Sequence, residues 1–403
     1  MDRIYQNVIF EHFQENRQML FLMGPRQVGK TTLSFSIRNR YKESFYFSWD
    51  DETDRELIVA GVEKVAQKAG LHSLQETIPL LIFDEIHKYP HWKNFLKGLY
   101  DCYPNQAHIL VTGSARLDVY KKGGDSLMGR YFLYRIHPIT IGELTDGSLR
   151  DQELRSGPLK LEEHLFESLW EYGGYPDPFL KANLRFFNRW KQTRFHQLFQ
   201  EELRDATRSQ EISRLEMLAK LLKAQVGQQS SYESLARAIR VSGNTIRSWT
   251  SILQSLYYCF EVRPWSKNVT RSLLKEPKYY LWDWSEIEDI GARAENFVAS
   301  HLLKAIHFWT DFGWGSYELY YLRDKDQKEV DFLITKDNVP WILVEVKAKG
   351  NQAISPALYY FYEMIKPQYA FQVVIDLPYN DVDCFSAKRP LIVPAKTFLS
   401  QLI

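Results

Sequence analysis

The stretch Met19 to Thr32, MLFLMGPRQVGKTT, constrains this 403-residue chain more than any other. Met19 to Met23 is an apolar run of strand length that breaks at Gly24. From there the residues read G-x-x-x-x-G-K-T through Gly29, Lys30 and Thr31. Leu33 to Ile37 reads as the start of a helix. Strand, glycine loop and helix together give the pattern a physical meaning. Gly24 and Gly29 let the backbone curl so that successive N–H groups point inward, and the helix that follows adds its positive end. Gly24, Pro25, Arg26, Gln27, Val28, Gly29, Lys30, Thr31 and Thr32 are then expected to form a nest for the triphosphate of ATP. Lys30 would reach the β- and γ-phosphates, and the Thr31 hydroxyl would ligate magnesium. The plain alternative is a glycine-containing turn, but a full match in this setting seldom arises by chance.

The length suggests two to four domains at about 150 residues each. No apolar run approaches the ~20 residues of a membrane span, so the sequence predicts a soluble chain with no membrane partner. The opening MDRIYQNVIFEHF has acidic residues and no long apolar core, unlike a secretory signal. Cys102, Cys259 and Cys384 are widely spaced and lack C-x-x-C or His partner spacing. They read as thiols in a reducing cytoplasm, with no structural zinc. The net charge of +1 announces no nucleic acid, yet from Arg208 to Lys275 eleven Arg or Lys stand against four Glu.

Residues 1–150 read as the ATPase part. Ser44 to Ser48 resembles a second strand. Pro79 to Phe83 is a continuous apolar run that ends in Asp84-Glu85. A carboxylate pair at the exposed end of a buried strand is where nucleotide chemistry needs it. Asp84 would hold magnesium directly or through water, and Glu85 would orient and polarise the attacking water. A further strand, His108 to Thr112, leads to Ser114, which is placed either to sense the γ-phosphate or to cap the next helix. Arg130 follows, either as an arginine finger acting in trans or as the partner of a neighbouring carboxylate.

With these blocks in place, the chain resembles the prokaryotic AAA-like P-loop ATPases that carry a winged helix and a C-terminal restriction-endonuclease-like domain of unknown function. The residues that carry the resemblance are GPRQVGKTT, Leu80 to Asp101, VTGSARL (Val111 to Leu117), Leu127 to Leu144, GGYPDP (Gly173 to Pro178) and the Arg204-Asp205 pair. The resemblance implies a sensor at Ser114, followed by the helix that bears Arg130.

Residues 151–207 read as a helical linker or lid. Its aromatics Phe186, Phe187, Trp190, Phe195 and Phe199 have the spacing of a packed helix face rather than a base-stacking platform. Residues 208–285 read as a winged helix-turn-helix. Ser231 to Arg240 opens with a serine cap, Val241-Ser242-Gly243 is a short turn, and Asn244 to Leu256 is a second helix. Tyr257 to Val262 with Lys278 to Trp282 could form the wing. On DNA, Asn244, Thr245, Arg247 and Ser248 would meet groove edges, and Arg237 and Arg240 would meet phosphates. The alternative is a module that packs domains together.

Residues 286–403 hold a second constellation. Gly291 to Leu303 is an amphipathic helix carrying Glu295. Glu329 to Ile334 is a strand bearing Asp331, and Trp341 to Lys347 is its partner, bearing Glu345 and Lys347. An acid, a tight turn, then E-x-K is the layout of the PD-(D/E)xK nucleases. Residues i and i+2 of a strand share a face, and a hairpin can bring Asp331 alongside. Asp331, Glu345 and the Val346 carbonyl offer hard oxygens to magnesium, Lys347 would position water, and similar nucleases imply that Glu295 completes the site. A surface ion pair, or a nuclease-like fold kept for binding alone, is the alternative.

The expected architecture is α/β: a P-loop NTPase parallel sheet, a helical linker, a winged helix-turn-helix and an α/β nuclease-like domain. The expected function is magnesium-dependent ATP hydrolysis coupled to engagement or cleavage of DNA, with homo-oligomers as a further partner class. The competing function is a nucleotide-driven signalling or assembly switch whose C-terminal domain binds a protein.

Overall fold

The computed structural model describes residues 3–73, 76–113, 127–199, 209–266, 276–350 and 353–403, with the side chains of 209 and 210 left aside. It forms two units, Met1–His137 with Gly147–Leu149, and Pro138–Asp146 with Arg150–Ile403. Among the described residues no helix is long and apolar enough to cross a membrane.

The first unit is built on five strands: β1 (Met19–Met23), β2 (Ser44–Ser48), β3 (Leu80–Asp84), β4 (His108–Gly113) and β5 (Tyr131–Arg135). They lie in the order β2-β3-β4-β1-β5, and every pairing is parallel. A parallel sheet covered on both faces demands near-continuous apolar strands, and MLFLM and LLIFD supply them. Phe21, Phe47, Phe83, Trp92 and Leu96 pack into one core on this sheet. This is the P-loop NTPase fold. Because all strands run the same way, Met23, Asp84 and Gly113 end on one edge, where an open parallel sheet binds its ligand.

The second unit carries a sheet of seven strands: β6 (Cys259–Pro264), β7 (Lys278–Leu281), β8 (Tyr317–Arg323), β9 (Glu329–Lys336), β10 (Val339–Lys347), β11 (Tyr369–Val374) and β12 (Leu391–Pro394). Their order is β12-β11-β10-β9-β8-β6-β7. The expected wing, β6 with β7, is antiparallel, but β6 also pairs with β8 at Arg263 and Pro264. The hairpin is therefore the edge of the large sheet. Asp337 and Asn338, both at positive φ, make the two-residue turn that joins β9 to β10.

Where a helix-turn-helix is expected, two helices begin on serine caps. Ser231 accepts from the N–H of Ser234 at the start of Tyr232–Ile239, and Ser242 accepts from that of Thr245 at the start of Gly243–Ser255. Between the helices the chain turns at Arg240, φ +62. The linker aromatics Phe187 and Trp190 pack with Tyr175 as a buried face.

Pro138–Asp146 belongs to the second unit, although the sequence reading keeps it with the ATPase part. Lys304, on the helix Ile290–Asp311, explains why. Neither its side chain nor that of Glu143, its ion-pair partner, has exposed surface. The Lys304 ammonium also donates to Thr140 Oγ1 at 3.0 Å, and Thr140 donates to the carbonyl of Ile403 at 2.9 Å. His301 Nδ1 faces the Phe297 carbonyl at 2.8 Å while Nε2 accepts from Ile141 N–H at 3.1 Å, so Nδ1 carries the proton. Burial pushes this imidazole down to about 3, which keeps it neutral. We predict that Lys304→Met destabilises the second unit by ~3–5 kcal/mol, because a buried carboxylate is left unpaired, whereas Lys304→Met with Glu143→Leu recovers most of the loss. Chemical denaturation decides it; a single variant as stable as the parent would refute the anchoring role.

Candidate functional site

The loop from Gly24 to Lys30 closes tightly. A Cβ built on Gly24 would run into the carbonyl oxygen of Ile136, so no side chain fits there. Gln27 (φ +62) and Gly29 (φ +95) take the left-handed conformation that turns the loop into the helix Lys30–Arg38. Arg3, absent from the sequence expectations, clamps the loop from behind. Its guanidinium donates to the carbonyls of Val28 at 3.0 Å and His137 at 2.6 Å. Lys30 is buried, and its ammonium donates to the carbonyls of Gly24 at 2.8 Å and Pro25 at 2.7 Å. Pro25 and Val28 are buried as well, whereas Arg26, Gln27, Thr31 and Thr32 are exposed on the loop and first turn.

Three elements converge beside this loop. The Thr31 hydroxyl donates to Asp84 Oδ2 at 3.1 Å, Tyr46 OH from β2 donates to the same oxygen at 2.6 Å, and Thr112 from β4 donates to Oδ1 at 2.5 Å. Asp84 is thus fixed by hydroxyls from three elements. Thr31 and Asp84 place hard oxygens side by side, which fits magnesium. Tyr46 and Thr112 escaped the sequence reading; the signal at Thr112 was a hydroxyl near the end of an apolar strand.

Glu85 follows Asp84 with φ +54, held there as its N–H donates to the Thr112 carbonyl at 3.1 Å. A non-glycine residue in this region costs about 1–3 kcal/mol, and such strain gathers at functional sites. Burial pushes the Glu85 carboxyl above its ordinary value, against the pull of Lys30, Lys88 and Arg26. His87 Nε2 stands 3.6 Å from it and Lys88 Nζ 3.7 Å.

The structure does not bring Arg130 here. Its guanidinium forms a bidentate pair with Asp101 at 2.8 and 2.9 Å, holding that exposed carboxyl below its usual range. Arg130 immediately precedes Tyr131, which pairs with Met19, the first residue of β1. The glycine loop leaves the other end of that strand, roughly 13 Å away at ~3.3 Å per residue. Ser114 lies outside the described residues, as do Arg204 and Asp205.

In the second unit the hairpin places the expected acids together. Asp331 Oδ2 accepts from the N–H of Val346 at 2.8 Å, and Lys347 Nζ donates to Glu345 Oε1 at 2.7 Å. Glu345 Oε2 is buried and has no hydrogen-bond partner. Glu295 comes to the same pocket but is occupied. Lys278 on β7 reaches its Oε1 at 3.2 Å, and Tyr280 donates to that oxygen at 2.6 Å. Lys278 also pairs with Glu329 at 2.6 Å. Sequence reasoning missed Lys278, Tyr280 and Glu329, since nothing local ties an edge strand to an acid on a later helix. Among the described residues no group of three or more His, Cys, Asp or Glu is arranged to hold a metal ion. With an ammonium among the carboxylates, the expected magnesium set of Glu295, Asp331 and Glu345 does not fit the metal as it stands.

Comparison with known proteins agrees with this geometry at the level of the first unit. Residues 16–145 match the family model described as an AAA domain, a likeness that supports an ATPase-type enzyme at the general level. Residues 163–285 and 290–387 match two models described only as domains of unknown function, DUF8612 and DUF4143. Among curated proteins the chain is 22% identical over 355 residues to the uncharacterized protein Rv2008c of Mycobacterium tuberculosis, covering 84% of this chain and 72% of the relative. It is 25% identical over 328 residues to the uncharacterized protein MJ1637 of Methanocaldococcus jannaschii, covering 72% and 68%. Solved structures matched include C. elegans PCH-2, at TM-score 0.24 and 12% identity over 62% of this chain and 64% of that one. A structure of Pif1 helicases at forked double-stranded DNA matches at TM-score 0.22 and 13% identity over 44% and 50%. Overlaps this loose carry no functional meaning.

The acidic pocket predicts a pH dependence. Burial and the neighbouring Asp331 push Glu345 and Glu295 each up to about 7 from an ordinary 4.5. A raised carboxyl means that the native state holds its proton more tightly than the unfolded chain. That contribution is complete below 4.5 and is lost as pH rises through about 7. Melting temperature should therefore fall from about pH 5 to about pH 8 more steeply in the wild type than in Glu345→Gln, and parallel profiles would refute the shift.

Proposed function

We propose that the chain binds ATP with magnesium at the glycine loop and hydrolyses it, and that turnover alters how the second unit engages DNA. The observation that carries the first half is the convergence of Thr31, Asp84 and Glu85 beside Lys30. Backbone N–H groups of the loop and the start of Lys30–Arg38 receive the phosphates. Lys30 leaves the Gly24 and Pro25 carbonyls for the β- and γ-phosphate oxygens. Thr31 holds magnesium, with Asp84 bound directly or through water; when present, the ion neutralises phosphate charge. Glu85, raised by burial toward a useful base, orients the attacking water and accepts its proton. Ser114 keeps its proposed place as the sensor of the γ-phosphate.

For the second half, the support is the exposed start of Gly243–Ser255. Asn244, Arg247 and Ser248 are exposed while Ile246, Trp249 and Leu253 are buried, and Arg237 on the preceding helix and Arg240 in the turn are exposed. This is the division of labour that a recognition helix needs. We retain the four-part organisation, 1–150, 151–207, 208–285 and 286–403, as the functional layout.

Two outcomes are expected. Lys30→Ala abolishes ATP turnover, while Glu85→Gln still binds ATP and slows turnover by roughly 10²–10⁴-fold; a Lys30→Ala chain that hydrolyses at the parental rate would defeat the assignment. Binding to duplex DNA should weaken steeply as salt rises, and each of Arg237→Ala and Arg240→Ala should flatten that slope by about one counterion. Salt-independent association, or none, would favour the competing switch that docks a protein partner.

A further inference from the structure

The acidic pocket of the second unit is filled by the chain's own ammonium. Lys278 is 2% exposed, and its Nζ lies between two carboxylates contributed by different elements, Glu295 from Ile290–Asp311 and Glu329 from β9. Asp331 adds to the negative field around it. Burial opposes the charge on this lysine, and the three acids together outweigh that cost, so the ammonium stays protonated. Tyr280, two residues along and on the same strand face, donates to Glu295. Gly227, at φ +74, brings backbone over the same carboxylate, for a Cβ built there would lie 3.0 Å from both Glu295 oxygens.

The other acids are also engaged. Glu329 accepts from Arg323 at 2.7 Å, Asp331 accepts from the Val346 N–H, and Glu345 Oε1 accepts from Lys347. Glu345 Oε2, on a residue 6% exposed, is buried without a hydrogen-bond partner. Magnesium asks for about six oxygens in a regular octahedron and gives up its waters reluctantly. An ammonium held among those oxygens repels it and takes their lone pairs.

We propose that Lys278 is a built-in cation that replaces a divalent metal in this pocket, so that the native chain binds none there and the acids serve to seat the β6–β7 hairpin. The arrangement is independent of what happens at the glycine loop. It separates a nuclease-like layout of Asp331, Glu345 and Lys347 from metal-dependent chemistry, because a covalently attached charge already engages Glu295 and lies in the field of Asp331. A strand-edge lysine is a permanent occupant, and the pocket becomes a structural joint.

The test is to count bound Mn²⁺ by the loss of its free electron paramagnetic resonance signal, using the full nucleotide-free chain. Wild type and Asp331→Asn should bind the same amount, since Asp331 ligates nothing in the native pocket. Lys278→Met should gain one tight Mn²⁺ per chain, lost again in Lys278→Met with Asp331→Asn. Any Mn²⁺ held by the glycine loop is common to all four proteins and cancels. A wild-type chain that loses a bound Mn²⁺ on Asp331→Asn would overturn the proposal, and so would a folded Lys278→Met chain that gains none. Should Lys278→Met not fold, Lys278→Gln, which keeps a donor toward Glu295, is titrated in the same way with the same two outcomes. The wild-type against Asp331→Asn comparison stands without either variant.

Discussion

Position 24 has no room for a side chain. The backbone of Ile136 lies against it, and this single approach fixes where β1 stops and where the glycine loop begins. Ile136 is held in turn as its N–H donates to the Met23 carbonyl at 2.7 Å. Arg3 then ties Val28, inside the loop, to His137, the residue after Ile136. The glycine loop is thus pinned at its entrance and in its middle by two neighbouring residues of one segment. Immediately beyond them, Pro138 begins the second unit. The chain that bounds the loop therefore continues, without a break, into Thr140 and Glu143 and the buried anchor at Lys304.

Buried charge organises the second unit in two places, and in the same way. Lys304 and Glu143 share a site with no exposed surface, and Thr140 satisfies a further proton. Lys278 sits among Glu295 and Glu329 with Tyr280 beside it. Such groups add little net stability compared with apolar packing, but each makes one arrangement of its elements far better than any other, since a displaced partner strands a charge. Lys304 fixes the segment 138–146, and Lys278 fixes the edge hairpin of the seven-stranded sheet.

The sequence disclosed what depends on neighbours along the chain. The glycine spacing, the apolar run ending in Asp84-Glu85, the serine cap at Ser231, and the short turn between β9 and β10 are all local, and each forms an element or turn where expected. Asp331 meets the strand of Glu345 because a two-residue turn leaves the hairpin little choice of register. What stayed hidden depends on pairing between distant strands. Tyr46 and Thr112 meet Asp84 only because β2 and β4 flank β3. Lys278 enters the acidic pocket only because β6 pairs with β8, which no hydrophobic pattern announces. By the same kind of distant pairing, β6 and β7 join the sheet of β8 to β12. Arg130 pairs with Asp101 at the opposite end of β1 from the chain's own loop, the carboxylate partnership that was one of its two readings.

The central claim is that the loop between Gly24 and Lys30 holds a magnesium-chelated triphosphate. Calorimetric titration of the folded full chain with a non-hydrolysable ATP analogue in excess magnesium tests it most directly. Saturable uptake at one site per chain, abolished by Gly24→Ala in a variant whose second unit still melts as in the parent, is the predicted result. Absence of uptake by the native chain, or undiminished uptake by Gly24→Ala, would contradict the account.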